Sequence, residues 1–135
     1  MLENMNPLID KTEEALLRMK KFTFKSLRKI EGGILVTTWW TDSQLQNISF
    51  LVISKKKELF LTDQWHTLNL IKEEKSRSFN KRKGDFLKSL LLSLDVVQEG
   101  ENLVAYSSLL NLENMILSYT QILITLNGFA MIEKW

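Results

Sequence analysis

The spacing of apolar residues changes several times along the chain, and each change predicts a different element. Near the start, Ile9, Leu16 and Met19 recur at intervals close to three and four, as on one face of a helix. Asn6-Pro7 is a favourable helix start because proline fits the first helical position. We therefore predict a first helix that begins near Pro7 and ends near Lys21.

The stretch from Phe22 to Thr62 favours strands. Its apolar residues approach a period of two, and β-branched and aromatic side chains are frequent. Turn signals separate the runs, at Glu31-Gly32-Gly33 and at Lys55-Lys56-Lys57. Antiparallel strands are predicted over residues 22–30, 34–40, 48–54 and 58–62.

The rest of the chain returns mainly to helical spacing. Thr62 or Asp63 can cap a helix that carries Leu68, Leu70 and Ile71. The charged stretch 72–83 is the best candidate for a loop or linker. The remaining predicted elements are a helix over 81–94, a turn at 98–101, a short strand over 103–106 and a last helix over 109–129.

This order of elements predicts a single α+β domain over residues 1–135. A small twisted antiparallel sheet, of three to four strands plus a short late strand, is expected to be packed by an N-terminal helix and two or three C-terminal helices.

The composition suits one domain and excludes several kinds of site. Of the 135 residues, 44% are apolar, which is enough for a hydrophobic core. The absence of cysteine excludes thiolate zinc sites, disulfides and cysteine nucleophiles. The net charge is only +2, so binding to a polyanion would require local clustering of cations. No cofactor is expected.

The chain is expected to lie in the cytoplasm, without a membrane anchor. Its N-terminus has no basic segment followed by an apolar core, so no signal peptide is predicted. The apolar stretch 109–132 contains several polar residues, whereas a spanning helix needs about 20 mostly apolar ones.

The order of elements and several short strings resemble a bacterial and phage family known only as domain of unknown function 1828. The strings are Val36-Thr37-Thr38-Trp39-Trp40-Thr41-Asp42, the apolar run Ile48 to Ile53, and Leu61-Thr62-Asp63-Gln64-Trp65. The resemblance covers most of the chain and implies a divergent member from a phage or mobile element. The activity of the family is itself not established.

The chain departs from the family pattern mainly at acidic positions. Gln44-Leu45-Gln46 stands where the family has His-Asn-Asp, and Gln64 and Asn69 replace two further acids. If the relatives hold a divalent metal there, this chain has lost most of the ligands, because hard cations take several oxygen ligands. No metal site is predicted.

Asp42 and Asp63 are the acids that remain in this region. We interpret Asp42 as forming an Asx-type turn with Ser43, and Asp63 as capping the following helix. The alternative is an acid–base or metal-binding pair. His66, the only histidine, is interpreted as a packing residue beside Trp65, and no catalytic residue is predicted.

The tryptophans are the strongest candidates for a binding role. Trp39 and Trp40 are consecutive on a predicted strand, so their side chains should point to opposite faces, and at most one can fill the same core. Tryptophan is also enriched at the energetic centres of interfaces. We predict a partner-binding surface from Trp39, Trp40, Gln44, Gln46, Trp65 and His66.

One dense basic region offers a second candidate surface. It would contact nucleic acid or an acidic protein surface, with Phe79 stacking on a base. The alternative is a solvated connection in which Glu73, Glu74 and Asp85 pair with the nearby cations. The candidate contacts are Lys72, Lys75, Arg77, Lys81, Arg82 and Lys83.

The last helix is apolar nearly all round, which is typical of a helix that is fully buried or shared with another chain. A homodimer through this helix is therefore one hypothesis.

These features together predict a non-enzymatic interaction protein of phage or mobile-element type. The more specific hypothesis is an inhibitor of a bacterial defence nuclease, of the anti-CRISPR or anti-restriction type, whose partner is a host nuclease complex. The alternatives are a nucleic-acid-binding protein that uses residues 72–88 and, less favoured, a metal-dependent hydrolase that uses Asp42 and Asp63.

Overall fold

Three helices and a six-stranded antiparallel sheet form the described part of this computed structural model. Residues 7–42, 44–55, 58–64, 67, 81–99 and 102–131 are described, with the backbone alone at 7, 20–23, 81–84 and 129–131. In chain order the elements are α1 (Pro7–Thr23), β1 (Phe24–Ile30), β2 (Gly33–Thr41), β3 (Asn47–Lys55), β4 (Glu58–Thr62), α2 (Lys81–Ser93), β5 (Val97–Glu99), β6 (Asn102–Ser107) and α3 (Leu112–Met131).

The strands lie in the order β1-β2-β3-β4-β6-β5, and every described pairing is antiparallel. The first four strands form a meander, and β6 then adds to β4 and places β5 on the outside. The turn between β1 and β2 needs its glycines. Gly32 has a φ of +77°, and a Cβ on Gly33 would lie 2.7 Å from the carbonyl oxygen of Val52.

Alternation along the strands gives the sheet one buried face. Val36 on β2 lies opposite Phe50 on β3, and Leu61 on β4 lies opposite both Val52 and Ala105. All of these side chains are buried, and they share one core with apolar residues of the three described helices: Ile9, Leu16, Met19, Leu87, Leu91, Leu112, Ile116, Ile122, Leu123 and Leu126.

Tyr119 joins α3 to the sheet. Its hydroxyl donates a hydrogen bond to the carbonyl oxygen of Leu103, at 2.6 Å, and the centroid of its ring lies 5.2 Å from that of Phe50, in an edge-to-face arrangement. Burial raises the pKa of the Tyr119 hydroxyl well above its ordinary value, and the negative charge of Asp63 acts in the same direction.

The α+β class is confirmed, but the sheet has more strands than expected. Residues 98–101 were predicted to form a turn, whereas Gln98 and Glu99 belong to β5 and pair with Leu103 and Asn102. A strand of three residues is too short to show a period of two, so its partner defines it.

The boundary between α1 and β1 also differs from the prediction. Phe22 and Thr23 end α1 instead of beginning the strand. Phe22 follows Met19 by three positions, so it continues the helical spacing as well as it fits a strand. The pairing of β1 with β2 begins only at Phe24.

The helix predicted after Asp63 lies almost wholly outside the described residues. Only Thr67 is described there, and it is helical. The stretch 72–80 is likewise outside the described residues. No helix in the described part of the chain is long and apolar enough to cross a membrane.

Candidate protein-interaction site

The end of β2 contains a β-bulge at the two consecutive tryptophans. Thr37 pairs with Ser49, and the next pair is Thr41 with Asn47. Three residues of β2 therefore face Ile48 alone on β3. Because a bulge adds residues to one strand, the regular alternation of side chains fails over this stretch.

Thr38 satisfies the backbone groups that the bulge displaces. Its hydroxyl donates to the carbonyl oxygen of Ile48, at 2.8 Å, and accepts from the amide nitrogen of Trp40, at 3.3 Å. The side-chain amide of Asn47 donates to the carbonyl oxygen of Thr38, at 3.1 Å. The Thr38 side chain is fully buried, so these hydrogen bonds are shielded from water and hold the backbone of the bulge in place.

Both tryptophans are exposed as a result. The exposed fraction is 60% for Trp39 and 43% for Trp40. We expected that at most one of them could fill the core, and in the structure neither does. Two large aromatic side chains thus project from neighbouring positions at one end of the sheet.

The loop that follows is ordered by Asp42. Its Oδ1 atom accepts hydrogen bonds from the amide nitrogens of Gln44, at 2.8 Å, and Gln46, at 3.1 Å, and its own amide donates to the carbonyl oxygen of Gln46, at 2.8 Å. The interpretation of Asp42 as an Asx-type turn is confirmed.

Leu45 stands at the tip of this loop. It is 83% exposed and has a φ of +63°, a left-handed conformation that is rare for leucine. Leu45 was not among the residues predicted to bind a partner. The signal in the sequence was an apolar residue between two glutamines in a polar turn.

These residues form what we call the hairpin surface: Trp39, Trp40, Gln44, Leu45 and Gln46. Three of the side chains are large and apolar, and the two glutamine amides can both donate and accept hydrogen bonds. Beside this surface, the ammonium group of Lys25 donates a hydrogen bond to the side-chain oxygen of Asn47, at 3.3 Å. Such a surface can cover an apolar patch on another protein.

The structure does not bring Asp42 and Asp63 together. β2 and β4 lie on opposite sides of β3, and Thr41 is level with Asn47 whereas Thr62 is level with Leu51. Strand spacing and rise place the two aspartates roughly 15 Å apart. Among the described residues, no three His, Cys, Asp or Glu side chains are grouped as a metal site would need.

Asp63 has a structural role of its own. Its Oδ2 atom accepts a hydrogen bond from the amide of Thr67, at 2.9 Å, whereas the helix that Asp63 was predicted to cap lies otherwise outside the described residues. Its Oδ1 atom is buried without a hydrogen-bond partner in the described structure.

Several predicted site residues fall outside the described part of the chain. Trp65 and His66 do so, as do Lys72, Lys75 and Arg77 of the basic region. Lys81, Arg82 and Lys83 open α2, but their side chains are not described; Lys88 on the same helix is exposed. Their contact with nucleic acid or an acidic surface stays a prediction.

The apolar stripe of the last helix lies mostly within the core of its own chain. Ile116, Tyr119, Leu123 and Leu126 are fully buried, and among the described side chains of α3 the exposed large apolar one is Leu117, at 51%. A homodimer through this helix stays a prediction, which sedimentation at tens of micromolar would test.

Comparisons with protein-family models, with curated proteins and with solved structures found no match to this chain. The resemblance to the family described above therefore remains a prediction.

Proposed function

We propose that this protein acts by binding another protein through the hairpin surface. The observation that carries the proposal is the exposure of both Trp39 and Trp40 at adjacent positions, above a buried Thr38. A tryptophan left largely in water is available to bury a large area against a partner.

The order of the loop supports the same proposal. Asp42 fixes the backbone of Gln44 and Gln46, and Thr38 fixes that of Trp40. A surface that is already ordered loses less conformational entropy on association, so more of the contact energy contributes to affinity.

The finer proposal is that the partner is a bacterial defence nuclease. The protein would inhibit it by covering a surface that the nuclease needs for its activity. It rests on the resemblance to a phage and mobile-element family and on the replacement of that family's acids by Gln46, Gln64 and Asn69. This step is an association between families and not a residue-level mechanism.

Capture from a bacterial lysate, followed by binding assays with the purified partner, tests both levels. We expect the unaltered protein to bind one partner, and we expect Trp39→Ala and Trp40→Ala each to weaken that binding by about 2 kcal/mol or more. Identification of the captured protein as a nuclease or nucleic-acid enzyme would support the finer proposal, and its absence would count against it.

Leu110→Ala is the matched control. Leu110 is 92% exposed and lies in the turn before α3, outside the hairpin surface. Replacing any of these exposed residues should change folding stability by no more than about 0.5 kcal/mol. Equal binding by the tryptophan variants and the unaltered protein, or equal loss with Leu110→Ala, would remove the proposal.

A further inference from the structure

An open groove of about 770 Å³ lies on the sheet, among β3, β4, β5 and β6. Leu59, Leu61 and Ala105 are buried in the core, so alternation sends Phe60 and Tyr106 to the opposite face. The groove therefore lies on the face of these strands that turns away from the core. Its polar and aromatic lining comprises Lys55, Glu58, Phe60, Glu99, Asn102 and Tyr106.

Two aromatic rings form the centre of the groove. Phe60 and Tyr106 are cross-strand partners, their ring centroids are 6.2 Å apart, and the rings are tilted by 43°. Tyr106 is 48% exposed. Nearby, Thr62 on β4 donates a hydrogen bond to the side-chain oxygen of Asn102 on β6, which ties the two strands together beside the rings.

Two carboxylates flank the tyrosine. The Tyr106 hydroxyl donates a hydrogen bond to Oε2 of Glu99, at 2.7 Å. That hydrogen bond is the main reason why the pKa of Tyr106 is raised, with smaller contributions from desolvation and from the charges of Glu99 and Glu58. Both carboxylates are thus close enough to act on the same hydroxyl.

Among the described residues that line the groove, acids outnumber cations, on a chain whose net charge is +2. The acids are Glu58 and Glu99, and the described cation is Lys55, which lies opposite Glu58 in the pairing of β3 with β4. Aromatic faces and carboxylates both attract cations, and here they lie in the same groove.

We infer that this groove binds an arginine side chain of a partner polypeptide. A guanidinium is planar, so it can stack on an aromatic face while its N–H groups reach carboxylates at the rim. Lysine offers a point charge without the flat surface, and a neutral side chain would lack the charge attraction to Glu58 and Glu99. The groove is also large enough to admit a side chain together with part of its backbone.

This site is separate from the hairpin surface. The hairpin surface lies where β2 ends and β3 begins, whereas the groove is lined by residues of β4, β5 and β6 and by Lys55 at the far end of β3, so the two share no residue. A partner could engage both, but each can be tested without the other.

The test is an NMR titration of the ¹⁵N-labelled full chain with a capped Gly-Arg-Gly peptide, against the same peptide with citrulline in place of arginine. Citrulline keeps the shape of the side chain and removes its charge. We expect the arginine peptide to shift the amide resonances of Phe60, Glu99 and Tyr106 at millimolar concentration. The citrulline peptide should bind several-fold more weakly.

Substitutions distinguish the contribution of the charged side chains to arginine binding from that of the aromatic rings. Glu58→Gln and Glu99→Gln should each weaken arginine binding about threefold, and Lys55→Gln should strengthen it. Tyr106→Ala should weaken it about fivefold, whereas Tyr106→Phe, which keeps the ring, should retain it. Trp39→Ala should leave it unchanged.

Three results would overturn the inference. They are equal shifts with the two peptides, shifts that map away from β4 and β6, and arginine binding that is unchanged in both Glu58→Gln and Glu99→Gln. The same spectra report whether each variant is folded, so a loss of binding can be told from a loss of structure.

Discussion

At the scale of single residues, Asp42 has the clearest structural role, which is to order the hairpin loop. Its buried carboxylate accepts hydrogen bonds from two backbone amides of the hairpin loop. Removing it leaves those amides without their acceptor, in a loop that displays the hairpin surface.

Asp42→Ala should therefore lower the free energy of unfolding by about 1–3 kcal/mol. Asp42→Asn should cost less, because the amide oxygen can still accept. Urea denaturation measures the cost, and hydrogen exchange at the amides of Gln44 and Gln46 localises it. Equal stability of the alanine variant and the unaltered protein would contradict this role.

The two tyrosines of the chain, Tyr106 and Tyr119, both have raised pKa values in the folded protein. A pKa raised on folding contributes stability below the unfolded value of about 10 and loses it as pH rises through the folded value. Stability should therefore fall above pH 10. Tyrosinate absorbance should appear at higher pH in the native protein than in urea.

Tyr119→Phe identifies the main source of that loss. The variant has no buried hydroxyl to ionise, so its stability should decline less steeply above pH 10, although it also lacks the hydrogen bond to Leu103. A decline as steep as that of the unaltered protein would assign the effect elsewhere.

The sequence was informative about Asp42 and less so about the tryptophans. Aspartate in a turn hydrogen-bonds nearby amides, and that is a local preference which sequence carries. The joint exposure of Trp39 and Trp40 depends on a bulge whose position is set by the bond between Thr38 and Ile48, on another strand. No local pattern encodes that bond.

At the scale of elements, α1 is held to the sheet by its apolar face. Leu16 is fully buried, whereas its neighbour Leu17 is 53% exposed. An ion pair also joins Asp10 on α1 to Lys29 on β1, but both side chains are about half exposed. Water and salt screen such a pair, so packing should dominate.

Leu16→Ala should lower the free energy of unfolding by about 2–5 kcal/mol, since it removes buried methyl groups and leaves a cavity. Leu17→Ala is the matched control and should change it by less than about 0.5 kcal/mol. Lys29→Met should have no resolvable effect. Thermal or urea unfolding of the three variants decides, and similar costs for Leu16 and Leu17 would contradict the packing of α1.

Periodicity located most elements, because each of them has enough residues to display its period. The predicted strand over 58–62 coincides with β4, and the predicted helix over 81–94 lies within one residue of α2 at its end. β5 was not predicted, because three residues are too few to show a period and the strand is defined only by its pairing with β6.

At the scale of the whole molecule, one core connects the described elements. Residues of α1, α2, α3 and the sheet belong to the same buried cluster. We expect a single cooperative unfolding transition, with far-ultraviolet circular dichroism and the near-ultraviolet signal of the aromatic residues changing together in urea. Two separated transitions would mean that part of the chain folds independently.

The outermost strands of the described sheet limit how another molecule can attach. β5 has only three residues, all with exposed side chains, and β1 presents Lys25, Arg28 and Lys29 to solvent. Short or charged edge strands disfavour pairing with a strand of another molecule. The backbone is thus poorly suited to β-augmentation or to fibril growth, and recognition should fall to projecting side chains.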